Sequence, residues 1–272
     1  MAFSTFTLVE KNKLIGEPMK SLITTLLLAI TLSSTAFADD LSDGFEAAQK
    51  GDYKTAMRLW KPWAEQGDAK AQYNLGLMYR NGYGVPKDDK QAVKWYRLAA
   101  EQGIARAQTS LGLMYANGYG VPEDDKEAVK WFRLAVEQGD GQAQNSLGNR
   151  YEKGEGVIIN YIEAVRLYNL SARQGGEYGM YNLARMYKDG KGVEEDKIYS
   201  YMWFNLANEA GHSSAKDKRE ELSEKMTTKE LRVAQELSQK CLDSNYKDCE
   251  SALPNFLHRK LNLSDEEHDD DD

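Results

Sequence analysis

The chain has 272 residues and a formal net charge of −8 at neutral pH. This acidic balance argues against a nucleic-acid partner, because no basic excess is available to displace counterions from phosphates. It gives no support to a basic membrane-binding patch either. Seven of the acidic side chains lie in the last nine residues, 264–272, so the rest of the chain is close to neutral.

The N-terminal residues have the features of a secretory signal peptide. Met19 and Lys20 form a basic start, an apolar run occupies 22–32, and Ala36-Phe-Ala38 is a small-x-small cleavage site. The run is shorter than the ~20 residues that a membrane-spanning helix needs. We therefore assign residues 1–38 to the signal and expect no membrane span after its removal. Residues 1–18 are either a long n-region or precede a true start at Met19.

The rest of the chain is organised by a repeat. The segment 69–103 returns almost verbatim at 105–139 and twice more in weaker form, with glycines spaced 36 residues apart at positions 67, 103, 139, 175 and 211. A fixed period of this length predicts a stacked array, and apolar residues at helical spacing predict two helices per repeat. The predicted domains are a partial repeat at 39–67, repeats at 68–103, 104–139, 140–175 and 176–211, and capping helices at 212–250.

The loop inside each repeat contains helix stop and start signals. Gly82 is placed to end the first helix, and Asp88 to cap the second, with Gln91 completing a capping box. The same box is predicted for Asp124 with Glu127 and for Asn160 with Glu163, whereas Asp196 keeps only the cap.

Two sets of repeated positions are predicted to form the core. Small residues at one position of the first helix allow close helix contact, and aromatic residues in the second helix pack between repeats. The small set is Gly76, Gly112, Gly148 and Ala184; the aromatic set is Trp95, Trp131 and Trp203 with Tyr96, Phe132, Tyr168 and Phe204.

The two cysteines, Cys241 and Cys249, lie close together near the C-terminus. In an exported chain such a pair favours a disulfide over free thiols. The histidines are not grouped with them at ligand spacing, so no metal site is predicted. The following segment, 251–272, is predicted to be an acidic disordered tail, with weak cation binding as the alternative.

The repeated residues Ala-x-x-x-Leu-Gly-x-x-Tyr, Gly-x-Gly-Val, Asp-x-x-x-Ala-x-x-Trp-Tyr and Ala-Ala-Glu-Gln-Gly resemble the Sel-one-like repeat family, a relative of the tetratricopeptide repeat. The resemblance implies an all-α, right-handed α-solenoid whose concave face is lined by the first helix of each pair. It also implies an adaptor that assembles complexes or tunes signalling at a bacterial envelope. With the signal peptide, this places the mature protein in the periplasm or outside the cell, and delivery into a host cell stays open.

Alignment with a tetratricopeptide helix predicts which residues line the partner-binding groove. They are Lys70, Tyr73, Leu77, Arg80, Arg106, Thr109, Leu113, Gln142, Asn145, Asn149, Tyr178, Tyr181 and Arg185. Tyrosine and arginine at intervals in a polar face suit recognition of a protein or peptide. The plain alternative is an ordinary solvated face.

No catalytic motif, cofactor motif or positioned histidine occurs, so we predict a monomeric, non-enzymatic scaffold without a cofactor. The alternative is a protein that binds or hydrolyses β-lactams or peptidoglycan fragments, as cysteine-rich relatives are described to do. This chain lacks the cysteine pair that staples each of their repeats.

Overall fold

The computed structural model describes residues 41–247 and 249. The predicted signal peptide, with its alternative start at Met19, and the predicted acidic tail lie outside these residues. The chain divides into two compact units, Met1–Lys87 and Asp88–Asp272, and each is described by itself. All regular secondary structure in 41–247 is helical and no strand occurs there, which confirms the predicted all-α class.

The first unit contains a helix at 41–49 (α1), followed by α2 (Tyr53–Glu65) and α3 (Ala69–Asn81). Trp60 of α2 is its central core residue. The Trp60 indole packs edge-on against Phe45 at 5.1 Å between ring centroids and donates a hydrogen bond to the Leu41 carbonyl oxygen at 3.2 Å. These contacts tie α1 to the helix pair.

The second unit is a run of helices in which neighbours along the chain pack on each other. Each pair packs on the next through consecutive helices, and two further helices pack on α10. The helices are α4 (Asp89–Glu101), α5 (Ala105–Asn117), α6 (Asp125–Glu137), α7 (Gly141–Lys153), α8 (Tyr161–Ala172), α9 (Glu177–Asp189), α10 (Lys197–Glu209), α11 (Ala215–Ser223) and α12 (Thr228–Asp243).

The predicted caps form, but the predicted capping boxes do not. The side chain of Asp124 accepts from the Glu127 amide at 3.0 Å, and that of Asn160 from the Glu163 amide at 3.0 Å. The reciprocal bond has no donor, because the amide of Asp124 already donates to the Tyr115 carbonyl oxygen. The amides of Asn160 and Asp196 donate likewise to the preceding first helix, at Tyr151 and Tyr187. These amides join the two helices of a repeat.

The core of the second unit confirms the predicted aromatic and small positions. Phe132, Tyr168, Trp203 and Phe204 are fully buried, and Trp95, Trp131 and Tyr96 are nearly so. A Cβ atom on Gly112 would lie 2.6 Å from the Phe132 ring, and one on Gly148 would lie 2.8 Å from the Tyr168 ring. A side chain at Gly112 or Gly148 would therefore displace the second-helix ring, whereas the fourth repeat accommodates Ala184 at the same position.

The C-terminal end is closed by α11 and α12. Thr227 and Glu230 form a reciprocal capping box at the start of α12. Cys241 and Cys249 are joined by a disulfide, with their Cα atoms 4.7 Å apart, which confirms the predicted pairing. Both cysteines are buried in the core that α8 to α12 share.

Candidate functional site

Four of the predicted groove residues lie on α3 in the first unit. Lys70 is exposed, whereas Tyr73, Leu77 and Arg80 are half-buried. Leu77 lines an apolar cavity of about 190 Å³ with Trp60 and other residues of that unit. These four are accessible in part, and whether they bind a partner stays a prediction.

The second unit places most of its predicted groove residues at the surface of α5, α7 and α9. Arg106, Gln142 and Tyr178 are exposed, and five more are half-buried, namely Leu113, Asn145, Asn149, Tyr181 and Arg185. Thr109 departs from the prediction, because it is 1% exposed. Its hydroxyl donates to the Ala105 carbonyl oxygen at 3.1 Å and to the Asp140 carboxylate at 3.0 Å, so the side chain is buried between the helices and not offered to a partner.

Three of the predicted residues come together in one pocket of about 300 Å³ between the starts of α7 and α9. We call it the inter-repeat pocket. Its lining is Gly141, Gln142, Asn145, Ser171, Gly175, Gly176, Glu177 and Tyr178. The amides of Gln142 and Asn145 and the Tyr178 ring give it both polar and apolar walls.

The pocket arises from substitutions at positions that close the preceding junction. There, Asp140 caps α7 and accepts the Thr109 hydroxyl, which spans the gap between the starts of α5 and α7. One repeat later the equivalent residues are Gly176 and Asn145, and Gly176 provides no side-chain cap for α9. The side chain that would fill the gap is therefore missing.

Ser171 leaves room only for glycine at Gly176 in the pocket lining and at Gly179 in α9. It replaces the Ala135 of the preceding repeat, and its hydroxyl donates to the Gly141 carbonyl oxygen at 2.8 Å. A Cβ atom on Gly176 would lie 2.6 Å from the Ser171 Oγ, and one on Gly179 would lie 2.7 Å from it. The serine and the two glycines therefore form a matched set.

An aromatic surface adjoins the pocket. The Tyr178 side chain is 58% exposed and meets the His212 ring edge-on at 5.2 Å, while Tyr181 stacks on His212 at 4.0 Å. Burial lowers the pKa of His212, and the nearby Glu177 carboxylate opposes this shift. The lowered pKa favours the neutral imidazole at pH 7. Because Tyr178 is exposed, one face of its ring can contact a partner.

Arg185 is committed to a network inside the protein. Its guanidinium donates to Glu152 Oε1 at 2.9 Å and to Asn182 Oδ1 at 3.1 Å, and the Asn182 amide donates to Asn145 Oδ1 at 2.9 Å. The hydroxyl of buried Tyr168 donates to the other Glu152 oxygen at 2.8 Å. Burial, followed by the Glu152 charge, raises the pKa of Tyr168. Arg185 therefore stabilises the groove wall rather than standing free as an anchor.

The Ser171 hydroxyl in the pocket lining donates to the Gly141 carbonyl oxygen and not to a base. Among residues 41–247 and 249, no group of acids, histidines and cysteines is arranged to hold a metal ion. No helix in the same part of the chain is long and apolar enough to cross a membrane.

Sequence reasoning missed the pocket residues Ser171, Gly176 and Glu177, and the contribution of His212. A signal was available, since positions 68, 104, 140, 176 and 212 read Asp, Ile, Asp, Gly and His. The glycine pair Gly175-Gly176 marks the junction where glycine replaces the capping Asp140 of the preceding one.

A separate apolar surface lies in the loop between α7 and α8. Ile158 is 90% exposed and Ile159 is 51% exposed, and Tyr161 and Ile162 beside them are exposed as well. The preceding repeat has Pro122, Glu123, Asp125 and Lys126 at these positions.

Comparisons with known proteins agree with the repeat architecture. The family model described as Sel1 repeat matches residues 42–68, 69–104, 105–140, 141–176 and 177–212. A crystal structure of a Sel1 repeat protein from Oxalobacter formigenes is 34% identical, with a TM-score of 0.64, over 67% of this chain and 74% of that one.

Two further relatives are similar over different shares of their length. The protective antigen c5321 of uropathogenic Escherichia coli, which displays an SLR fold, is 32% identical with a TM-score of 0.52, over 88% of this chain and 60% of that one. The mouse DAP3-binding cell death enhancer 1 is 33% identical over 79 residues, which is 29% of this chain and 15% of the mouse protein.

Proposed function

The chain belongs to the Sel1 repeat family, whose repeats generally mediate protein–protein interactions, and from this premise we propose that it is an exported scaffold that anchors a partner at the inter-repeat pocket. The observation that carries the proposal is the exposed Tyr178 ring beside a pocket of about 300 Å³. Three predicted groove residues line that pocket.

The pocket offers the kind of contact that dominates protein interfaces. Tyrosine is enriched among the residues that contribute most binding energy, because its ring covers a large area with little loss of conformational entropy. Gln142 supplies an amide group that can pair with the backbone of an extended partner segment. Asn145, whose Oδ1 already accepts from Asn182, supplies its amide N–H donors. A partner side chain inserted between the starts of α7 and α9 would then fix the segment in place.

The exported location rests on the signal-peptide features of residues 19–38 and is supported by the disulfide. Disulfides persist in oxidising compartments such as the periplasm and are rare in the cytosol. A role in envelope signalling or complex assembly belongs to the same proposal.

The test is capture of a partner from a bacterial envelope extract by tagged protein starting at Asp39, after mild crosslinking and with identification by mass spectrometry. Tyr178→Ala and Gln142→Ala each remove a pocket side chain that is exposed, so folding is expected to be retained. Tyr119→Ala, at another exposed tyrosine, is the matched control.

We expect one protein to be enriched by the wild type and by Tyr119→Ala but reduced at least tenfold by the two pocket variants. Equal enrichment by all four proteins would show that the pocket does not anchor the partner. Arg185 is a poor choice for this test, because its loss would disturb the internal network with Glu152.

A further inference from the structure

The disulfide closes a short loop in which two residues adopt an unfavourable backbone conformation. Asn245 and Tyr246 have φ angles of 52° and 66°, in the left-handed region that non-glycine residues rarely adopt. The Tyr246 amide donates to the Cys241 carbonyl oxygen at 2.8 Å, so the loop folds back on the end of α12. Such a conformation persists when the surrounding structure imposes it, and here the disulfide spans it.

Tyr246 reaches from this loop to the inter-repeat pocket. Its ring carbons lie 3.5 and 3.8 Å from the position that a Cβ atom of Gly175 would take, and Gly175 lines the pocket. The equivalent glycines of earlier repeats, Gly103 and Gly139, have no such neighbour within 4 Å. A ring this near to the closing glycine is thus a particular feature of the junction that holds the pocket.

The contact also lies beside backbone hydrogen bonds that shape the pocket floor. The Gly175 amide donates to the Ala172 carbonyl oxygen at 2.9 Å, and the Gly176 amide donates to that of Ser171 at 3.1 Å. The preceding junction has the same pair of bonds at Gly139 and Asp140, without a ring against them. The two junctions therefore provide an internal comparison.

We propose that the Cys241–Cys249 loop is a latch that keeps the inter-repeat pocket in shape by holding Tyr246 against Gly175. The ligand-binding consequence rests on the proposed function, whereas the contact and its effect on the pocket floor do not. In the oxidised protein the latch is closed. In the reduced protein the loop relaxes its left-handed residues, the ring leaves Gly175, and the turn into α9 loosens.

Opening requires a dithiol reductant. A thiolate of the reductant attacks one sulfur of the disulfide and forms a mixed disulfide, and the departing cysteine thiolate takes up a proton. The second thiol of the reductant then displaces the other cysteine, so two electrons and two protons pass to the protein and the reductant becomes a disulfide. Because Cys241 and Cys249 are 1% and 2% exposed, the loop must open locally before the attack.

Amide hydrogen exchange of the protein starting at Asp39, read by mass spectrometry, tests the latch without a ligand. The proteins are the wild type, Tyr246→Ala with the disulfide intact, and the double variant Cys241→Ser/Cys249→Ser. Peptides covering 173–180 report on the pocket floor, and peptides covering 137–144 report on the matched junction. The latch predicts about tenfold faster exchange at 173–180 in both variants and no change at 137–144.

Unchanged exchange at 173–180 in Tyr246→Ala would overturn the role of the ring. A rise at 173–180 and 137–144 together would show general destabilisation and would also overturn it. Unchanged exchange at 173–180 in the double-serine variant would overturn the redox dependence, because the loop would then keep Tyr246 in place without the disulfide. Failure of partner capture with the predicted exchange pattern would refute the proposed function and leave the latch intact.

Discussion

Two junctions in the second unit are built from the same repeat positions. The first lies between the starts of α5 and α7, and the second lies between the starts of α7 and α9. A hydrogen bond from Thr109 to Asp140 spans the first, and the inter-repeat pocket lies in the second. The helices whose starts meet at the two junctions, α5, α7 and α9, have thirteen residues each, and the repeat phase is unchanged. A few side chains, rather than a different backbone plan, decide whether a junction is closed or can receive a ligand.

Further along α7 and α9, a polar network replaces the apolar packing of the preceding repeat. Glu152 and Tyr168 stand where the preceding repeat has Ala116 and Phe132. Glu152 accepts from Tyr168 and Arg185, although its side chain is only 8% exposed. A buried carboxylate is tolerated where such donors compensate for its lost hydration.

The largest effect is expected from Glu152→Ala. The change leaves the buried Tyr168 hydroxyl without its acceptor, and we expect the free energy of unfolding to fall by about 2 to 3 kcal/mol in urea titrations. Adding Tyr168→Phe recreates the Ala116 and Phe132 pair of the preceding repeat and should recover at least half of the loss. A double variant no more stable than the single one would contradict the role given to the hydroxyl.

Converting the second junction into the first is expected to close the pocket. Gly176→Asp alone should destabilise the protein, because its Cβ would lie 2.6 Å from the Ser171 Oγ and 2.8 Å from the Ser171 carbonyl oxygen. Ser171→Ala removes the first of these two contacts, and a small backbone shift must relieve the second. In the double variant the aspartate can then cap α9 as Asp140 caps α7, and a cap contributes about 1 kcal/mol. Thermal unfolding should therefore rank the double variant above Gly176→Asp, and a crystal structure should show the aspartate in the gap. The reverse ranking would refute the matched-set explanation.

Removing the hydrogen bond that spans the first junction is expected to lower the free energy of unfolding by a smaller amount. Thr109→Val keeps the shape of the side chain and removes the donor to Asp140, which still caps α7 through the Ala143 amide. We expect a loss of about 1 kcal/mol in urea titrations, a typical value for one hydrogen bond. Thr109→Ser, which retains the hydroxyl, is the control and should lose less than the valine variant.

The smallest effect concerns pH. His212 occupies the same repeat position as Gly176, one repeat later. Burial lowers the pKa of His212 below the ordinary value of 6.5. The unfolded chain then binds more protons as the pH falls through 6.5, so the free energy of unfolding decreases in this window. Replacing His212 by glutamine should reduce the difference in the free energy of unfolding between pH 8 and pH 5.5. An identical pH difference in the two proteins would show that His212 does not contribute.

The sequence predicted the repeat architecture well because its signals are local and repeated. Glycines such as Gly112, caps such as Asp124 and core rings such as Phe132 are specified by neighbours within one helix pair. The groove was harder to predict, since Thr109 and Arg185 face the predicted surface yet bond across repeats to Asp140 and Glu152. Such pairings depend on residues 31 and 33 positions apart, which helical spacing alone does not relate.

The exposed isoleucines in the loop between α7 and α8 should affect how the protein behaves in concentrated salt. With Ile158 and Ile159 in water, salts that are excluded from protein surfaces should favour contacts that hide them. The salting-out point and the retention on a phenyl chromatography resin would then depend on this loop. Glu194 and Glu195, at the same positions one repeat later, show how the array can carry charge there instead.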